Sequence, residues 1–126
     1  MVRLIKKLKF PDRKISDTLL LFAEPLTTAL GPNPIESQFR DVLALSWLMW
    51  NAVVYADVAM NAESLDGLHR TMRSVPEAAK TLDAMIDRKR NLFGNDQRLI
   101  GKYELYRKGG EFRLRAEARD PLSNHV

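Results

Sequence analysis

The chain has 126 residues, a mass of 14.4 kDa and a net charge of +4. With 45% hydrophobic and 29% charged residues, it has the composition of one folded domain, not of a disordered or collagenous chain. The absence of cysteine excludes disulfides, thiolate nucleophiles, iron–sulfur clusters and cysteine zinc sites, and only two histidines remain for imidazole chemistry.

Charge is unevenly spread. Residues 1–14 are basic, 15–87 acidic and 88–126 basic again. Such asymmetry marks either a contact with an anionic partner or segments that neutralise one another within one fold. Met1 to Phe10 has no apolar run of signal-peptide length, and with the lack of cysteine this predicts a cytoplasmic protein.

In chain order, residues 1–14 read as a basic arm or short strand. Val2, Leu4, Leu8 and Phe10 alternate with Arg3, Lys7 and Lys9. A helical core is expected over 15–94. Ser16 is the expected N-cap of its first helix, with Ile15 and Leu20 as a hydrophobic staple. Leu19, Leu20, Ala23, Leu26 and Leu30 recur at helical spacing. Pro25 lies inside this pattern and should kink or break it. Gly31-Pro32-Asn33-Pro34 is a stop and restart, with Asn33 as N-cap and Pro34 at N1.

The next helix, about 34–62, is the longest. After Val42 its apolar positions cover the whole circumference, so it must be surrounded. Val42 to Met60 is long enough to span a thin bilayer, but Ser46, Asn51 and Asp57 make a buried core helix the better reading. Ser64 is the expected cap of a short helix carrying Leu65, Leu68 and Met72. Ser74-Val75-Pro76-Glu77 matches a capping box. The helix behind it should bury Ala78, Ala79, Leu82, Met85, Ile86 and Phe93 and end at Gly94. Arg88, Lys89 and Arg90 sit in its last turns, where cations suit the helix dipole.

The C-terminal part changes period. Residues 98–107 and 111–119 flank Gly109-Gly110, a two-residue hairpin signal. The turn fixes a register pairing Lys108 with Glu111, Leu105 with Leu114, Glu104 with Arg115, Tyr103 with Ala116, and Lys102 with Glu117. Opposite charges then share one face, while Leu99, Tyr103, Leu105, Phe112, Leu114, Ala116 and Ala118 share the other. Residues 120–126 read as a tail. The expected fold is therefore α+β and mainly α. It is a single domain built round a central apolar helix, with a C-terminal hairpin over 98–119 that the N-terminal segment can join as a third strand.

Functional signals are sparse. The six glycines form no phosphate loop, and no serine lies in a nucleophile elbow. Glu63, Asp66 and His69 share a helical face, but an exposed acidic face explains them better than a metal site. No catalytic residue, metal or cofactor is expected. A chain this short can scarcely wrap its central helix, which predicts a homodimer with Trp47, Trp50 and Val54 at the seam. Asn51 and Asp57 are expected to be buried polar groups needing partners, with Arg40, Arg70 or Arg73 proposed for Asp57.

The leading functional expectation is a non-catalytic protein–protein interaction or adaptor module. The first alternative is a nucleic-acid-associated protein using Lys6, Lys7, Lys9, Arg107, Arg113 and Arg115, with Tyr106 facing Arg113 as a base-stacking pair. The second is a small-ligand binder or enzyme with a pocket near Asp57.

Overall fold

The computed structural model describes residues 13–121. Their order is α1 (Ile15–Ala29), α2 (Glu36–Asp57), α3 (Glu63–Met72), α4 (Pro76–Leu92), β1 (Leu99–Lys108) and β2 (Glu111–Arg119). Four helices and a two-stranded antiparallel hairpin make an α+β fold that is mainly α. The expected N-terminal strand, with Lys6, Lys7 and Lys9, lies outside the described residues, as do residues 122–126 of the expected tail.

None of the four expected N-terminal caps forms. α1 starts two residues early, after Lys14, so Ser16 is a buried residue of its first turn. α2 starts after Ile35 and not at Pro34. α4 starts after Val75 with Pro76 in its first turn and no side-chain cap from Ser74. At α3 the donor is met by a residue outside the helix: Asn61 Oδ1 accepts the Glu63 N–H at 3.1 Å, and Ser64 makes no cap. Gly31 does adopt the left-handed turn expected of it, at φ 93°.

Pro25 does not split α1. A proline there leaves the Leu21 carbonyl without its usual helical donor. Arg88 of α4 supplies one: its guanidinium donates to Leu21 O at 2.8 Å and to Phe22 O at 3.1 Å. Arg88 is thus not merely a dipole-compensating cation. Nor is Lys89, which is buried and donates to the Phe93 and Asp96 carbonyls at 2.9 and 3.0 Å. Its ammonium lies 4.4 Å from the Trp50 ring centre. Burial pulls the Lys89 pKa down to about 8.

The core closes around α2. Phe22, Trp50 and Phe93 meet edge to face, with ring centres 5.4–5.8 Å apart. Leu19, Leu43, Met49, Val53, Leu82 and Ile86 complete it. Wrapping the central helix was expected to exceed the capacity of one chain. It does not, because α1, α3, α4 and the hairpin each cover part of α2. Leu48, 45% exposed, is the one large apolar side chain of that helix left exposed, with Trp47 and Tyr55 half-buried beside it.

The Gly109-Gly110 turn sets the expected register from Lys108–Glu111 to Tyr103–Ala116. Beyond it the register slips by one residue: Ile100 faces Ala118 and Leu99 faces Arg119. A bulge at Gly101-Lys102 absorbs the extra residue. Lys102 therefore does not pair with Glu117 as expected, and Ile100 is buried beside Leu99. Ala118 is exposed. Of the expected charge pairs, Glu104–Arg115 closes at 3.1 Å, while Glu111 turns to Arg113 at 3.1 Å and not to Lys108.

The hairpin lies along α2. At its tip the Phe39 and Phe112 rings stack 4.9 Å apart. Along its length one stripe of α2 side chains bonds the outer edge of β1. Arg40 donates to Leu105 O at 3.3 Å, and Trp47 Nε1 to Ile100 O at 2.8 Å and Gly101 O at 3.1 Å. Asn51 pairs with both main-chain groups of Ile100, donating at 2.9 Å and accepting at 2.8 Å. Trp50 Nε1 donates to Arg98 O at 2.7 Å, just before the strand. Side chains of a helix thus stand where a third strand would.

Candidate functional site

A groove of about 630 Å3 opens between α2, α3 and the start of β1. One wall is apolar, with Trp47, Leu48, Ala52 and Tyr55 from α2. The other is low, because α3 presents Ser64, Gly67 and Thr71 there with Leu68 between them. These positions recur at helical spacing, so they share one face. Gly67 sits mid-helix, where glycine costs about 1 kcal/mol relative to alanine. No steric demand explains it, since a Cβ there would meet nothing closer than Arg70 Nη2 at 3.8 Å. What its absence provides is width on the groove side.

The floor is the bulged start of β1, Leu99 to Lys102, joined by Arg119 from β2. Gly101 is needed here for a different reason. A Cβ on it would come 2.8 Å from Arg119 Nε, 3.1 Å from Glu117 Oε1 and 3.3 Å from Arg119 Cδ. The glycine lets the Arg119 side chain lie across β1. Its guanidinium is half-exposed and reaches Glu117 only at 3.7 Å. Lys102 is exposed.

The expected site residues fall in different places. Trp50 and Val54 are 0% and 1% exposed within the chain's own core and present no surface for a second copy. Trp47 is half-buried and lines the groove, with its ring N–H committed to β1. Asn51, expected to be buried, is half-buried at the edge of the groove, with its amide paired to both main-chain groups of Ile100. Asp57 is not buried. It ends α2 at the surface and forms a two-bond ion pair with Arg90, at 2.7 and 2.9 Å, and not with Arg40, Arg70 or Arg73. The pair raises the Arg90 pKa, chiefly through that hydrogen bonding. Asp57 lines neither the α2–α3 groove nor a smaller cavity of about 430 Å3 that opens beside its neighbour Val58.

The basic hairpin residues are engaged. Arg107 reaches Glu36 at 3.4 Å and lies over Phe112 at 4.4 Å; Arg113 reaches Glu111 at 3.1 Å. Arg115 pairs with Glu104 and covers the Tyr106 ring at 4.6 Å, so the stacking partner of Tyr106 is Arg115, not Arg113. Glu36, between Arg40 and Arg107, has its pKa lowered chiefly by the Arg40 hydrogen bond. On α3, His69 faces Asp83 at 3.3 Å. No three His, Asp or Glu side chains gather as a metal site among the described residues, and no helix there is long and apolar enough to cross a membrane.

Sequence reasoning missed Leu48, Tyr55, Gly67, Lys102 and Arg119 as a group. The available signals were two glycines inside regular elements, Gly67 in a helix and Gly101 in a strand. No family model, curated protein or solved structure matches the chain.

Proposed function

We propose that the protein is a non-catalytic binding module whose working surface is the groove between α2, α3 and β1. The groove itself carries the reading. Its volume of about 630 Å3 suits a small ligand, since ligand sites usually run to roughly 300–1,000 Å3 with mainly apolar walls. Its charged lining residues, Lys102 and Arg119, are both cations, and the nearby Glu117 carboxylate is held against Arg119, so no free carboxylate faces the groove for paired acid–base work. Trp47 is the one residue of the expected homodimer seam that remains at an accessible surface. The nucleic-acid alternative is weakened because Arg107, Arg113 and Arg115 already face carboxylates.

The test is titration of the folded chain with a neutral polarity-sensitive fluorophore, N-phenyl-1-naphthylamine. Saturable binding is expected, and Gly67→Leu should abolish it while circular dichroism stays unchanged. Gly67→Ala should weaken binding and yet raise stability by about 1 kcal/mol. No saturable binding, or binding indifferent to a folded Gly67→Leu protein, overturns the reading.

A further inference from the structure

We infer that the groove receives an acyl chain ending in a carboxylate, with the chain between α2 and α3 and the carboxylate at Lys102 and Arg119. The inference rests on the groove being the binding surface and names the class of its occupant.

Three observations favour this occupant. The first is extent. Fourteen residues line the groove, whereas a stable protein interface uses roughly 20–30 residues a side. A single small molecule fits it better than a protein face.

The second is the state of the backbone at its floor. A peptide added along a strand edge is held by free main-chain groups. Here the Ile100 N–H and carbonyl are bonded to Asn51, and the Ile100 and Gly101 carbonyls to Trp47. An extended peptide would bury its own amides with no partner at these positions, which is costly. An acyl chain carries no such groups.

The third is charge. Every charged residue lining the groove is a cation, and both lie at its β-sheet end. Lys102 has no carboxylate partner among the described residues. Arg119 holds Glu117 loosely, at 3.7 Å, and a ligand carboxylate that took its planar donor pair in two-bond fashion would replace that contact. The bulge and Gly101 direct this guanidinium over the strand, which is what an anion-reading end requires.

The experiment displaces bound N-phenyl-1-naphthylamine from the full chain with dodecanoate, dodecanol and dodecyltrimethylammonium, the two ions below their micelle-forming concentrations and the alcohol below its solubility limit. Dodecanoate is expected to displace at about tenfold lower concentration than dodecanol, the scale of one charge-assisted contact. A Lys102→Ala, Arg119→Gln double variant should lose that preference while binding dodecanol as before, which also shows that it is folded. Equal displacement by acid and alcohol, preference for the ammonium, or a preference surviving the double variant overturns the inference and leaves the groove reading intact. A short apolar peptide that displaces the probe more tightly than dodecanoate also overturns it. Failure of the neutral probe to bind at all overturns the groove reading instead.

Discussion

Replacing Arg88 by methionine keeps an apolar stem and removes the guanidinium that serves the Leu21 and Phe22 carbonyls. A hydrogen bond from a charged donor contributes about 1.5–3 kcal/mol, less where solvent competes, so the loss should be about 1–3 kcal/mol in all. In a chain of this size that corresponds to a fall in melting temperature of roughly 3–10 °C. Part of this loss exists because Pro25 has no N–H. In Pro25→Ala, residue 25 donates to the Leu21 carbonyl itself, as any helical residue does. Arg88→Met should then cost about 1 kcal/mol less in that background. Urea denaturation of the two single variants, the double variant and the parent measures this coupling. Distant, independent sites add within about 0.3–0.5 kcal/mol. If the two changes add within that margin, Arg88 does not act by satisfying the carbonyl that the proline frees.

Lys89 gives a pH dependence with a definite sign. Its folded pKa of about 8 lies below the ordinary 10.5, so between these values the unfolded chain holds a proton that the folded one has released. Stability from this group therefore rises with pH across that window, by about 3 kcal/mol at most. A neutral amine still has two N–H donors for its two carbonyls. Measured from pH 7 to 10.5, the parent should gain on Lys89→Met; a constant difference refutes the assignment. Asn51→Leu leaves the Ile100 N–H unpaired beside α2 and should lower stability by about 1–3 kcal/mol, read by thermal melting. A change below about 0.5 kcal/mol would mean that water replaces the amide there.

Regular patterns were legible in the sequence, and places where separate elements meet were not. The register from Tyr103 to Lys108 followed from one turn, alternating burial and opposed charges, all local. The slip at Gly101 needed the demand of Ile100 for Asn51, about fifty positions away. Helix starts were misread because Ser16, Asn33, Ser64 and Ser74 have capping chemistry but packing chose other first residues. Asp57 read as buried because its sequence neighbours are apolar, whereas it ends α2 opposite Arg90. The groove left no motif, since its lining comes from α2, α3, β1 and β2 and its walls are mostly ordinary core residue types.

The side chains of α2 that bond β1 have a consequence for how the molecule meets its own kind. A two-stranded sheet offers two open rows of amides and carbonyls, and such rows recruit strands from other molecules. Here Arg40, Trp47, Trp50 and Asn51 bond main-chain groups of one row at Arg98, Ile100, Gly101 and Leu105. The other belongs to β2, where Glu111, Arg113, Arg115, Glu117 and Arg119 are exposed charges that discourage edge-to-edge pairing. The hairpin is thus guarded against templated growth on both sides by different means. Freeing the β1 edge exposes it only together with departure from α2. Its slowest-exchanging amides should therefore open with the central helix, making strand, helix and resistance to aggregation one cooperative property.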